Sequence, residues 1–161
     1  MQYLKTHYGR AIPIIYSDTI NMPNPANAGL KSITTDGDTN ILIDTSVKFT
    51  TNMIGNTVIT SYNDIATVTG FIDEHTLIIS SDITQNDGVG YTLYVPTPNE
   101  GFSIYIPGGQ ASTSTIKLLT VGGDIVTFTA VGDAAASIIL PVQALRVFES
   151  STNITGLIAL W

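Results

Sequence analysis

The chain has 161 residues, no cysteine, and 6 Lys and Arg against 13 Asp and Glu, for a net charge of -7. Charged residues make up only 12%, about half the ~25% of an ordinary globular domain. That composition excludes disulfides, thiolate metal sites and a strong phosphate-binding footprint. With 43% apolar residues, it also argues against disorder. No window reaches the ~18–20 consecutive apolar residues of a transmembrane helix. The opening MQYLKTHYGR has no apolar core behind a basic flank, so it is not expected to act as a secretory signal.

The sequence holds 23 Thr, 22 Ile and 10 Val. Side chains branched at Cβ are stiff at χ1 and fit a pleated surface better than a helix. Alternating apolar runs predict strands at Ala11–Tyr16, Asn40–Asp44, Asn56–Tyr62, Ile65–Ile72, His75–Ser80 and Gly90–Val95. Further runs follow at Phe102–Ile106, Ser114–Val121, Asp124–Val131, Ile138–Glu149 and Gly156–Trp161. No convincing amphipathic helix is present. Gly122-Gly123 supplies a tight turn between two of the runs, and Asp73-Glu74-His75 supplies another. Short strands at this spacing predict an all-β fold, an antiparallel β-sandwich carrying a small barrel.

Two proline-rich breaks organise the chain. Asn21-Met22-Pro23-Asn24-Pro25-Ala26-Asn27 reads as an extended connector, and Val95-Pro96-Thr97-Pro98-Asn99-Glu100-Gly101 as a second. Residues 30–95 are therefore expected to form a small β-barrel inserted into a sandwich built from residues 1–29 and 96–161. In that outer unit both faces of some strands are apolar. In Val142–Glu149, Leu145 and Val147 are expected to oppose Val142, Ala144 and Phe148. A solvated antiparallel face would alternate cleanly, so a second covering layer is implied. The apolar run Gly156–Trp161 points the same way. Val142, Leu145, Val147, Leu157, Leu160 and Trp161 are the expected contacts to other subunits or a capsid. The alternative is that they close the monomer's own sandwich.

Catalysis needs convergent groups with tunable proton affinity. His7 and His75 lack partner motifs, and no nucleophile elbow or phosphate loop occurs. The acids Asp36, Asp38, Asp73, Glu74, Asp82, Asp87, Asp124 and Asp133 suit turns. Asp36-Gly37-Asp38-Thr39-Asn40 imitates the start of a calcium loop but has Ile41 where Gly is needed and Val47 where a bidentate Glu is needed. No catalytic, cofactor or metal site is expected. Tyr8, Tyr16, Tyr62, Tyr91, Tyr94 and Tyr105 offer either half-buried strand positions or a glycan-stacking platform.

Several stretches resemble virion proteins of tailed phages. Gly122-Gly123-Asp124 through Val131, Ile139-Leu140-Pro141-Val142 through Phe148, and Thr152-Asn153-Ile154-Thr155-Gly156-Leu157-Ile158-Ala159-Leu160-Trp161 resemble the ending of head spike base proteins of gene transfer agents and related phages. Tyr16-Ser17-Asp18-Thr19-Ile20-Asn21-Met22-Pro23 resembles their beginning. Leu42–Ser46, Phe49, Ile54–Val58, Ala66–Thr69, Thr76–Ile83 and Gly90–Tyr94 resemble a small barrel common in phage virions, with Asn56 standing where Asp usually follows the Gly.

The resemblance implies a non-enzymatic virion subunit: a capsid decoration or head-spike base protein on the capsid exterior. Its partners would be copies of itself and the major capsid or other virion proteins, with no nucleic acid and no membrane. A neck or tail adaptor, or a fibre-associated protein, is the second expectation. A host-surface glycan-binding module using Tyr91 and Tyr94 is the third.

Overall fold

The computed structural model describes residues 8–84, 87–96, 100–129, 131 and 136–161. The fold is nearly all-β, with two antiparallel sheets, as the branched side chains require. The chain divides into two compact units, Met1–Met22 with Asn99–Trp161, and Pro23–Pro98.

The first unit holds one six-stranded sheet. Its strands are β1 (Ala11–Pro13), β9 (Phe102–Ile106), β10 (Thr115–Thr120), β11 (Ile125–Thr129), β12 (Ile138–Val147) and β13 (Ile158–Leu160). They are ordered β1-β13-β9-β12-β10-β11. The expected Ala11–Tyr16 and Gly156–Trp161 strands are thus shorter than their apolar runs. The Gly122-Gly123 turn joins β10 to β11, with Gly123 at φ 90°, a conformation that favours glycine. The edge strand β11, Ile-Val-Thr-Phe-Thr, carries neither charge nor proline, whereas β1 at the other edge ends on Pro13.

Strand β12 does not alternate as expected. Its first half pairs with β9 (Leu140 opposite Ile104), and its second half with β10 (Val147 opposite Leu118). Thr120 lies opposite Ala144 and Leu119 opposite Arg146, so Leu145 is the extra residue of a bulge. The bulge reverses the pleat. Ala144 and Val147 therefore face the same core, and the expected grouping of Leu145 with Val147 is corrected. The Leu145 carbonyl accepts the Met22 N–H at 2.9 Å, and the Val147 carbonyl accepts the Ser17 N–H at 3.1 Å. The core itself comprises Phe102, Ile104, Ile106, Ile116, Leu118, Leu140, Ala144, Val147, Ala159 and Trp161 with neighbours. Ala130 of the expected Asp124–Val131 strand lies outside the described residues.

The second unit holds a seven-stranded sheet ordered β2-β8-β5-β6-β7-β4-β3. These are β2 (Ala28–Ile33), β3 (Asp36–Asp38), β4 (Ile41–Ile43), β5 (Thr57–Thr60), β6 (Ile65–Asp73), β7 (Thr76–Ile79) and β8 (Gly90–Tyr94). Neither β2 nor β3 was marked by an alternating apolar run. Ala28 pairs with Tyr94, which draws residues 28–29 into this unit. Within the expected connector, Pro25–Asn27 form a 3-10 turn capped by the Asn24 side chain.

The two ends of this sheet are consecutive in the chain, joined by Thr34 and Thr35. The Thr34 N–H donates to the Val89 carbonyl and the Thr35 N–H to that of Ile43, both at 2.9 Å. Closure into a barrel through a β2–β3 pairing is not among the described pairings. The core comprises Leu42, Phe49, Val58, Ala66, Val68, Leu77, Ile79, Tyr91 and Leu93.

Asp44 is fully buried beside that core. Its Oδ1 accepts the Ser46 N–H at 2.8 Å and the Ser46 hydroxyl at 2.5 Å, and its Oδ2 accepts the Tyr91 hydroxyl at 2.8 Å. Burial alone would raise the carboxyl, but these donors and Ser32 hold it below the usual carboxylate range. The loop after β4 is thereby fixed to β8. A carboxyl lowered by folding stabilises the unit above about pH 4, and that stability is lost as pH falls through the folded value.

Tyr91→Phe should cost about 2 kcal/mol, the order of a hydrogen bond to a charged group. Chemical denaturation of wild type and variant at neutral pH measures this. The gap between them should shrink as the medium is acidified through the Asp44 titration.

Candidate functional site

The pleat of the first unit sends alternate side chains away from its core. Outward along β1, β13, β9 and the first half of β12 lie Ala11 and Pro13, Ile158 and Leu160, Ser103 and Tyr105, and Ile139, Pro141 and Gln143. The registers place Ile139, Tyr105, Ile158 and Pro13 in one cross-strand row. None of these nine outward residues is charged. Ile139 is 48% exposed, and Tyr105, Ile158 and Leu160 are partly buried. An outward antiparallel face is ordinarily polar; this one is apolar, softened by Ser103 and Gln143, which bond each other at 3.3 Å.

The six residues expected at an interface separate into two groups. Val147, Leu157 and Trp161 belong to the core of their own unit. Trp161 packs at a tilt against Phe102 with ring centroids 5.2 Å apart, and its backbone N–H donates to the Arg10 carbonyl at 3.0 Å. These three pack within their own unit. Val142 packs against the same core, and Leu145 is the half-buried bulge residue. Only Leu160 lies on the uncharged outer face. Ile139, Ile158 and Tyr105 belong to that face, and the sequence reading missed them. The signal that could have found them is the period-2 partner of each core residue once register is known.

Several of the remaining candidates sit in turns among the described residues. His75 lies in the β6–β7 turn, its Nδ1 2.7 Å from the Val47 carbonyl oxygen and its N–H donating to Asp73. Lys48 pairs with Glu74 at 2.8 Å. His7 and Asp133 lie outside the described residues. Asp36 and Asp38 accept the N–H groups of Gly37 and Thr39, an acidic hairpin around Asn40 at φ 56°. Among the described residues no three of the His, Cys, Asp or Glu side chains gather as a metal site.

Tyr91 is 2% exposed with its hydroxyl on Asp44, so it offers no stacking surface; the glycan platform drawn through it is corrected. Tyr94 is half-buried on β8, and Tyr16 donates to the Ile154 carbonyl at 2.7 Å. Tyr62, at 73% exposure, sits in the turn after β5.

The chain matches no protein-family model, no curated protein and no solved structure.

The inner and outer residues should respond differently to substitution. Trp161→Ala should lower the stability of the first unit by about 3–5 kcal/mol, as loss of a buried indole does. Ile139→Asp, on the outer face, should change stability by less than about 1 kcal/mol. Thermal or denaturant unfolding monitored by circular dichroism distinguishes the two.

Proposed function

We propose that this chain is a non-enzymatic structural subunit of a tailed-phage particle, a capsid decoration or head-spike base protein that assembles with copies of itself on the capsid exterior. The observation that carries the reading is the uncharged outer face of the first unit. A chain of net charge -7 repels its own copies and packaged nucleic acid. Copies of such a chain approach most cheaply where neither surface carries charge, and apolar burial there supplies the attraction.

The resemblance of the segments around Ser17-Asp18, Gly122-Gly123 and Gly156–Trp161 to virion proteins supports the same reading. Those segments are also where the first unit is held together. Asp18 Oδ1 accepts the Ser150 N–H and hydroxyl at 3.1 and 3.0 Å, and Arg146 donates to the Asp18 carbonyl at 2.8 Å. They therefore serve a scaffold, and the surfaces of that scaffold serve assembly. Repetition on a lattice lets weak contacts add through effective concentration.

Antibodies against the chain should label tailed particles produced from the genome that encodes it. Label over the whole shell or at its vertices supports a decoration or spike-base role. Label confined to neck or tail supports the adaptor role instead. Unlabelled particles, together with a mass in solution equal to that of one chain, would overturn the proposal. If the outer face drives assembly, Ile139→Asp with Leu160→Asp should shift a sedimenting oligomer to the monomer while the circular dichroism spectrum is unchanged.

A further inference from the structure

We propose that the groove between the β10–β11 hairpin and the loop at residues 150–153 is a binding site for an acidic saccharide, a polyhydroxylated ligand bearing carboxylate or sulfate groups. This groove lies on the outward side of the bulged half of the first sheet, has a volume of about 520 Å³, and is open to solvent. Each of its lining residues can hydrogen-bond through its side chain; one, Lys117, is cationic and none is anionic. That is an unusual lining in a chain where acids outnumber bases 13 to 6.

The loop is fixed before any ligand arrives. Thr115 N–H donates to Asn153 Oδ1 at 2.7 Å, Asn153 N–H to the Thr115 carbonyl at 3.1 Å, and Lys117 N–H to Thr152 Oγ1 at 3.1 Å. A preorganised wall lowers the ordering cost of binding. Those bonds occupy Asn153 and Thr115. The Thr127 and Ser151 hydroxyls make no hydrogen bond among the described residues, and Thr152 Oγ1 keeps its proton available.

The cation is held in place as well. Lys117 Nζ lies 4.9 Å from the centroid of the Phe148 ring, and the Arg146 guanidinium carbon lies 5.1 Å from it. Two of the chain's six basic residues thus share one buried ring. Among the described residues Lys117 forms no ion pair within 4.0 Å. The nearby carboxylate, Asp18, is instead turned onto Ser150, and the lysine's field helps lower its carboxyl from a distance. The ammonium is therefore oriented, unpaired at contact distance, and bordered by hydroxyls. Acidic sugars carry the complementary groups: an anionic oxygen for Lys117, and hydroxyls that exchange hydrogen bonds with Thr127, Ser151 and Thr152.

The test titrates the full chain with a heparin tetrasaccharide, with tetragalacturonate, and with neutral maltotetraose, observing backbone amides by NMR. Either acidic probe should move the amides of Lys117, Thr127, Ser151 and Thr152, and maltotetraose should leave them in place. Lys117→Met keeps the stem over Phe148 and should weaken the acidic probe by about tenfold or more, the effect of losing a charged hydrogen bond. Lys117→Arg should retain most of the affinity. Silence of these amides with both acidic probes would overturn the proposal. So would equal binding of maltotetraose, or undiminished binding by a folded Lys117→Met chain.

Discussion

Strand β12 joins the two halves of the first unit, and the extra residue at Leu145 lets it do so. Without the bulge, the strand could not offer its first half to β9, its second half to β10, and still turn Leu140, Ala144 and Val147 toward one core. The same irregularity leaves the Leu145 and Val147 carbonyls open to the segment after β1, which closes down along them. It also sends Arg146 and Phe148 outward, where Phe148 meets Lys117. The inward turn of Val147, the clamp around Asp18 and the cationic corner of the groove all follow this change of phase.

The all-β class was legible because the composition leaves little choice: Thr, Ile and Val dominate, and glycines or Asx residues interrupt them. Most strands were placed by alternation, and the Gly122-Gly123 turn by its need for positive φ. The strands that escaped, β2 and β3, have sequences Ala-Gly-Leu-Lys-Ser-Ile and Asp-Gly-Asp. They contribute little to the core, so no periodic apolar signal marks them; their strand state comes from pairing with β8 and β4. The bulge was illegible for a related reason. A period-2 pattern carries no mark of the residue at which its phase reverses.

The site was legible only in part. The sequence reading correctly saw apolar residues on both sides of some strands, but it could not say which side faced inward. Trp161 and Leu157 are apolar because they are core, whereas Leu160 and Ile158 are apolar on the opposite face. Tyr91 shows the converse error: an aromatic that suits a glycan platform by type is committed, by its hydroxyl, to a buried carboxylate. The Lys117 groove drew no notice because its lining residues are scattered over 39 positions of sequence, from Thr115 to Asn153, and converge only through the hairpin and its facing loop.

The two borders of the first sheet are unequal. Proline at position 13 removes an amide from β1, while β11 ends the other side with neither charge nor proline. A ribbon that can add a neighbour along just one margin terminates after a single such addition, whereas one receptive along both margins propagates without limit. The asymmetry makes the β11 margin the more receptive of the two to strand-to-strand joining.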